Sequence, residues 1–126
     1  MGREAINAPG AAAVGPYSHG VIANGFVYLS GQTPIDSVTG RLVDGGTEAQ
    51  VHQCFRNLLT ALEGAGLSFD KVVKCNVFLT DMGDFASMNA VYAKHFSKPY
   101  PARTTIGVAS LPLGARVEIE MVAATS

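Results

Sequence analysis

Alternating apolar and polar residues predict a β-hairpin near the start of the chain. Residues 21–23 and 26–29 flank Asn24-Gly25, a dipeptide that tolerates the positive φ angles of a tight two-residue turn. After the hairpin, the stretch 36–46 is rich in Gly, Asp and Thr, which predicts a loop or a short edge strand.

Apolar residues at three- and four-residue spacing predict two helices. The first begins at residues 47–50, Thr-Glu-Ala-Gln, which have the form of a capping box and are expected to bind the free backbone N–H groups there. It is expected to end at Gly64. The second follows a cap at Thr80 or Asp81 and ends before Pro99. The apolar stripe of the first comprises Val51, Cys54, Phe55, Leu58, Leu59 and Leu62, with Glu48, Gln53, Arg56 and Glu63 off it. That of the second comprises Phe85, Met88, Val91, Tyr92 and Phe96.

Three further strands are predicted in the second half of the chain. A strand over about 103–109 follows Pro101, which requires an extended residue before it. Alternation over 71–79 places on one side Val73, Cys75, Val77 and Leu79. Alternation over 116–122 places on one face Val117, Ile119 and Met121, and on the other Arg116, Glu118 and Glu120.

This order of elements predicts an α+β fold in which two helices pack on one face of a mixed β-sheet. The opposite face carries apolar residues and has no helix to cover it. Because a soluble protein seldom leaves such a face in water, we expect packing between subunits. A chain of 126 residues is long enough for one core and too short for two, so residues 1–126 are expected to form a single domain.

The composition narrows the classes of partner. Charged residues make up 15% of the chain against about 25% in a typical soluble domain, which also favours a surface covered by another copy. The net charge is −1 and there is no Lys/Arg run, so no nucleic acid or anionic membrane partner is expected. No apolar stretch reaches the roughly 18 residues of a membrane span, and the N-terminal residues lack a signal-peptide core. We expect a cytoplasmic protein.

The cysteines and histidines do not indicate a metal or cofactor site. Cys54 and Cys75 lie on apolar-patterned stretches without Cys-x-x-Cys spacing and are interpreted as reduced core thiols. His19, His52 and His95 are scattered and have no ligand spacing. Phosphate-binding, dinucleotide-binding and nucleophile-elbow motifs are also missing from the sequence, so no cofactor is expected.

The residue that best suits chemistry is Arg103, at the predicted start of a strand. A guanidinium there fits bidentate capture of a planar carboxylate, because its fork matches two oxygens and its charge is permanent. From composition alone, a surface ion pair is the competing interpretation. From composition alone, Glu118 and Glu120 are interpreted as part of a solvent-exposed strand face. Tyr17 is interpreted as a half-buried loop aromatic whose hydroxyl forms a hydrogen bond.

A series of short motifs runs in one order along nearly the whole chain. It comprises Gly15-Pro16-Tyr17, Ser30-Gly31-Gln32 with Pro34, Glu48-Ala49-Gln50, Asn57, Lys74, Phe78, Met88-Asn89, Tyr92, Phe96, Pro101-Ala102-Arg103 and Glu118-Ile119-Glu120. From about Ala12 to Ala124 the sequence resembles the RidA/YjgF/UK114 family, in the branch whose archetype is a deaminase of reactive imines.

The resemblance implies a chorismate-mutase-like fold and a homotrimer whose sheets form a central barrel with clefts between subunits. It also implies hydrolytic deamination of enamines and imines, of the 2-aminoacrylate and 2-iminopropanoate type, to 2-oxo acids and ammonia without a cofactor. The residues that match catalytic positions are Arg103, which would bind the carboxylate, and Glu120, which would position water. Those that match substrate-binding positions are Tyr17, Ser30, Gly31, Asn89, Arg103 and Thr105.

The chain departs from the archetype beside the arginine. It reads Arg103-Thr104-Thr105-Ile106-Gly107 where the archetype reads Arg-Ser-Cys-Val-Glu. Thr105 therefore replaces the cleft cysteine, and no thiol chemistry is expected at that position. A backbone N–H of Thr105 would bind a carboxylate as well as that of a cysteine.

Two other functions stay open on the sequence. One is a non-catalytic regulatory trimer that binds small 2-oxo acids through Arg103 and leaves Glu120 structural. The other is an RNA-cleaving translation inhibitor, which the near-neutral charge without a basic stripe does not favour. A turnover assay separates the enzyme from the binding protein.

Overall fold

The computed structural model describes residues 2–6, 8 and 15–126; Ala12, where the resemblance begins, lies outside them. The strands are β1 (Glu4–Ala5), β2 (Gly20–Ala23), β3 (Phe26–Leu29), β4 (Val72–Leu79), β5 (Ala102–Gly107) and β6 (Val117–Ala124). The helices are α1 (Thr47–Glu63) and α2 (Phe85–His95), with 3-10 turns at Phe69–Lys71, Met82–Asp84 and Pro112–Gly114.

The six strands form one mixed sheet in the order β1-β2-β3-β6-β4-β5. β4 pairs parallel with β5, and the other neighbouring strands pair antiparallel. The core lies between one face of this sheet and the two helices, where Phe55 and Leu58 of α1 are fully buried together with Val77 and Ile119 of the sheet. The predicted α+β fold with both helices on one sheet face is confirmed.

The predicted hairpin is also confirmed. Asn24 and Gly25 have φ angles of 51° and 81°, and β2 and β3 pair directly across them. β3 ends at Leu29, so the next three residues do not extend the hairpin. Instead, Gln32 forms an isolated bridge with Ile119 of β6, which brings the segment before it alongside that strand.

The capping box predicted at the start of α1 is wrong. Gly46 is the N-cap residue, no side chain caps the helix, and the hydroxyl of Thr47 is buried without a hydrogen-bond partner among the described residues. Gln50 turns away from the helix end because its amide oxygen accepts a 2.8 Å hydrogen bond from the backbone N–H of Arg116. The side chain therefore ties α1 to the segment that leads into β6.

The alternation predicted for β4 is wrong at its first residue. Val73 is exposed, and Val72 takes the buried position, because the register between β4 and β6 shifts between Val72 and Lys74. Such a bulge adds one residue to the strand and reverses the side-chain alternation before it. From Cys75 to Leu79 the alternation is as predicted.

The apolar stripes of the helices lie against the sheet as expected, with local differences. Gln53, predicted off the stripe, is buried and donates a 2.8 Å hydrogen bond to Asn57. Asp81 caps the 3-10 turn before α2 by accepting from the backbone N–H of Gly83, rather than capping α2 itself. α2 ends at His95, so Phe96 packs on the core from an extended residue beyond the helix.

Both cysteines are free and buried, as predicted. Burial raises the pKa of the Cys75 thiol to about 11 and that of Cys54 well above its ordinary value. Because the thiolate is the reactive form, both thiols are inert at neutral pH.

The face of the sheet without helices is open in the single chain. Phe26, Tyr28 and Ile106 are 39%, 49% and 45% exposed there. Within the described residues, no helix has both the length and the apolar character needed to cross a membrane.

Candidate functional site

Arg103 lies on β5, at one edge of the sheet and on the side of the helices. Its register partner on β4 is Cys75, which is fully buried beneath the helices, and partners on neighbouring strands project to the same side. Since β5 is the last strand of the sheet, the guanidinium reaches the rim of the core without entering it. Arg103 is accordingly half-buried.

Three side chains of α2 hold the guanidinium. Asn89 accepts a 2.7 Å hydrogen bond from Nη1 of Arg103, and the guanidinium carbon lies 4.7 Å from the ring centroid of Tyr92 and 5.5 Å from that of Phe85. Residues at positions i, i+4 and i+7 share one helix face, which is why α2 presents all three together. Cation–π contact of this kind stabilises a guanidinium without neutralising it.

The charge of Arg103 is left available for a ligand. In the part of the chain that the structure describes, the only carboxylate within ion-pair distance of an arginine belongs to Asp84, which binds Arg116 at 2.9 Å. The surface ion pair, the competing interpretation of Arg103, is therefore not found. A carboxylate partner for Arg103 would therefore have to come from a ligand or from outside the described residues.

A cavity of about 510 Å³ opens beside the guanidinium. Its lining combines one permanent cation, one amide and two aromatic rings, contributed by Asn89, Tyr92, Ala93, Tyr100, Pro101 and Arg103. The size suits a small organic acid, and the mix of apolar wall with few polar groups is typical of ligand sites.

Thr105 lies two residues after Arg103 and therefore on the same side of β5. Its hydroxyl oxygen is buried and has no hydrogen-bond partner among the described residues. Buried hydroxyls are normally paired, so this one is an exception, although Thr105 does not itself line the cavity. We call Asn89, Arg103 and Thr105 the arginine half-site.

Three of the other predicted site residues, Tyr17, Ser30 and Gly31, meet at a second place. Ser30 donates a 2.6 Å hydrogen bond to the carbonyl of Ser18, which anchors the loop that carries Tyr17. The Tyr17 ring meets His19 edge-on, with centroids 5.9 Å apart, and His19 faces Gln32 at 3.4 Å. Tyr17, Ser30 and Gly31 therefore lie in one cluster.

Glu118 faces this cluster, which the sequence did not indicate. Gly31 lies so close to Glu118 that a Cβ added there would be 3.1 Å from the carboxyl carbon and closer still to Oε2. The glycine is thus needed for close approach of the backbone to a carboxylate. We call Tyr17, Ser30, Gly31 and Glu118 the glycine half-site.

The two glutamates of β6 differ in what they bind. Oε2 of Glu120 accepts a 2.9 Å hydrogen bond from the amide of Asn76, its register partner on β4. Glu118 makes no such bond within the described residues. Burial, and then the charge of Glu120, raise the pKa of the Glu118 carboxyl above its ordinary value. A raised pKa suits a general base, so Glu118 is a candidate for that role beside Glu120, which has one of its two oxygens bound by Asn76.

The two half-sites of one chain are far apart and face opposite ways. Arg103 shares the helix side with Cys75, whereas Glu118 pairs with Phe78 on the other side. The glycine half-site lies at the β3 side of β6, and β4 separates β6 from β5. At about 4.8 Å per strand, β5 is roughly 10 Å from β6, which carries Glu118, and roughly 14 Å from the segment of Gly31 beyond it.

Comparison with known proteins identifies the family of this chain. A family model described as Endoribonuclease L-PSP matches residues 5–125. The chain belongs to the RidA/YjgF family. The crystal structure of RidA from the Antarctic bacterium Psychrobacter sp. superposes with a TM-score of 0.91 at 46% identity, covering 97% of this chain and 99% of that one.

Curated relatives within the RidA/YjgF family carry names of different kinds. The 2-iminobutanoate/2-iminopropanoate deaminase of Bos taurus is 44% identical over 89% of this chain and 82% of its own length. The putative regulator AldR of Lactococcus lactis is 42% identical over 94% of this chain and 92% of its own. Family membership is thus established, and the names divide between an enzyme and a regulator.

Proposed function

We propose that this RidA/YjgF chain is a hydrolytic deaminase of 2-imino acids, of the 2-iminopropanoate and 2-iminobutanoate type. The observation that carries the proposal is the guanidinium of Arg103, which forms no ion pair with any described residue and is fixed by Asn89 at the edge of a cavity of about 510 Å³. Nη1 is taken by Asn89, which leaves the Nη2 and Nε edge for a substrate carboxylate.

The reaction requires little beyond positioning, because a protonated imine is already electrophilic. With the carboxylate on Arg103, the carboxylate of Glu118 accepts a proton from water as the water oxygen bonds to the imine carbon. The carbinolamine nitrogen then takes up the proton held by Glu118 and leaves as ammonia, while the carbinolamine hydroxyl gives its proton to the Glu118 carboxylate and becomes the carbonyl oxygen. The former imine carbon becomes the carbonyl carbon of a 2-oxo acid. The ring of Tyr17 would cover the glycine half-site beside this carbon. No cofactor enters these steps.

We propose that the site is completed between subunits of a homotrimer. Within one chain Glu118 cannot reach a substrate held by Arg103, because the two side chains lie on opposite faces of the sheet and on strands that are separated by β4. The exposed Phe26, Tyr28 and Ile106 on the helix-free face supply apolar surface for such an assembly. A neighbouring copy would bring its glycine half-site to the arginine half-site.

A turnover assay tests the proposal. 2-Aminoacrylate is generated in situ, and release of pyruvate and ammonia is followed with catalytic amounts of protein. Multiple turnovers per site are expected. Binding of 2-oxo acids without turnover would instead make the chain a regulatory binding protein, and cleavage of RNA without either would support the translation inhibitor.

The close approach of Gly31 to Glu118 gives a second test. Gly31→Ala is expected to fold, because the atoms that its Cβ meets belong to the flexible end of Glu118. The displaced carboxylate should lower turnover by about 10- to 100-fold, since a misplacement of about 1 Å costs on that order. Gly46→Ala is the control, as its Cβ would meet nothing within 4 Å. Equal turnover in both variants would remove Glu118 from the mechanism.

A further inference from the structure

A pair of histidines joins the two helices away from the half-sites. Nδ1 of His52 on α1 lies 3.2 Å from Nε2 of His95 at the end of α2, which is a hydrogen bond between the two rings. The rings meet at 69° with centroids 5.3 Å apart, and both residues are half-buried. Such a bond needs one nitrogen with a proton and one without.

His95 is built into an aromatic cluster. Its ring stacks on that of Phe55 at 4.3 Å and 7°, and Phe69 meets it edge-on at 5.7 Å. Burial, then the facing His52 and the adjacent Lys94, lower the pKa of His95 below its ordinary value. The neutral ring is therefore the form that this packing favours.

The same cluster extends to Arg103. Tyr92 lies edge-on to Phe55 at 5.8 Å and packs against Phe96 at 4.9 Å, and its ring centroid is 4.7 Å from the guanidinium carbon of Arg103. Tyr92 is also one helical turn before His95. A shift of the end of α2 relative to α1 would therefore move the ring on which Arg103 rests.

We propose that His95, bonded to His52, is a positioning residue that keeps Arg103 in its binding geometry while at least one of the two rings is neutral and releases Arg103 when both are protonated. This inference rests on the proposed function, in which Arg103 binds the substrate carboxylate. His95 acts through Tyr92 and touches no substrate itself.

The chemistry of the pair determines which protonation matters. A protonated His52 can still donate to a neutral His95, so the bond survives the first proton. When His95 is protonated as well, both facing nitrogens carry hydrogens and both rings are positive, and the bond is lost. A histidine with a lowered folded pKa supports the fold above about pH 6.5, and this support is lost as the pH falls through the folded pKa.

Several other charged or titratable groups surround the pair, among them Lys94, which directly precedes His95 in the chain. The groups that share the groove beside His95 are Glu63, Asp70, Lys98 and Tyr100, and those one turn from His52 on its own helix are Glu48 and Arg56.

NMR of the intact assembly tests the inference directly. The sequence contains three histidines, so the ring signal of His95 can be assigned by its loss in His95→Phe. In the parent chain, the Arg103 Nε–Hε signal is expected to move with the same midpoint as His95 between about pH 7.5 and pH 5. Affinity for 2-oxobutanoate should fall about 5- to 10-fold across that step, a usual size for coupling between sites.

Two variants separate titration from packing. His95→Phe keeps the stack on Phe55 and removes the proton, so both the Arg103 shift and the affinity step should disappear. His52→Gln offers an amide oxygen that accepts from protonated His95, and the step should shrink. An Arg103 signal that stays constant while His95 titrates, or an equal step in both variants, would overturn the inference. If no 2-oxo acid binds at any pH, the proposed function fails while the Arg103 signal still decides this question.

Discussion

Arg103→Lys is expected to weaken binding of 2-oxobutanoate by about 10- to 150-fold. Lysine keeps the charge and loses the planar fork, so a bidentate contact worth about 1.5–3 kcal/mol to a charged group is lost. The ammonium also cannot bind Asn89 and a carboxylate in the geometry seen for the guanidinium between Tyr92 and Phe85. The measurement is calorimetric titration with 2-oxobutanoate, together with the Michaelis constant for imino acids.

Arg116→Lys is the matched control for that experiment. Arg116 forms its ion pair with Asp84 at the start of α2 and lines no part of the cavity beside Arg103. Its replacement should leave 2-oxobutanoate affinity unchanged. Equal affinities of Arg103→Lys and the parent would show that the carboxylate anchor has been misassigned.

Glu118→Gln is expected to lower turnover by about 100-fold or more, while 2-oxobutanoate binding changes little. Glutamine keeps the size of the side chain and cannot accept the proton of the attacking water. Glu120→Gln, the matched control two residues along the same strand, should lose much less because Glu120 is held by Asn76. The reverse result would restore Glu120 to the role that the sequence resemblance implies.

Glu118→Gln should also make the folded chain more stable, although it lowers turnover. A carboxyl with a raised folded pKa binds its proton more tightly in the folded chain, so folding stability falls as the pH rises through that pKa. Glu118→Gln removes the buried charge and should raise the melting temperature at neutral pH while it lowers turnover. A gain in stability with a loss of rate is typical of a functional residue rather than a structural one.

Local sequence patterns were enough to predict the individual helices and strands, but not how these elements contact one another. The Asn24-Gly25 turn, the stripe of α1 and the alternation of β6 follow from spacing and turn chemistry alone. The bulge after Val72 does not, because it depends on pairing with β6. Gln50 likewise looked like a capping residue, since nothing local indicates that the backbone N–H of Arg116 lies opposite it.

The site was predictable residue by residue but not as an arrangement. Arg103, Asn89 and Thr105 come together because β5 pairs parallel with β4 next to α2, which the sequence does not specify. Tyr92 was assigned to the apolar stripe and to the motif series without a role at the site, although its ring also contacts the guanidinium. Its i+3 spacing from Asn89 on the helix was the available signal. The preference for Glu118 over Glu120 required the contact with Gly31.

Each site is proposed to combine the arginine half-site of one subunit with the glycine half-site of another. Co-assembly of Arg103→Ala chains with Glu118→Gln chains tests it, because each variant alone lacks one half in every site. Random mixing of equal amounts should restore about one site in four, and with it about a quarter of the parental turnover. Mixed assemblies that remain as inactive as the separate variants would contradict the claim and return both residues to a site within one chain.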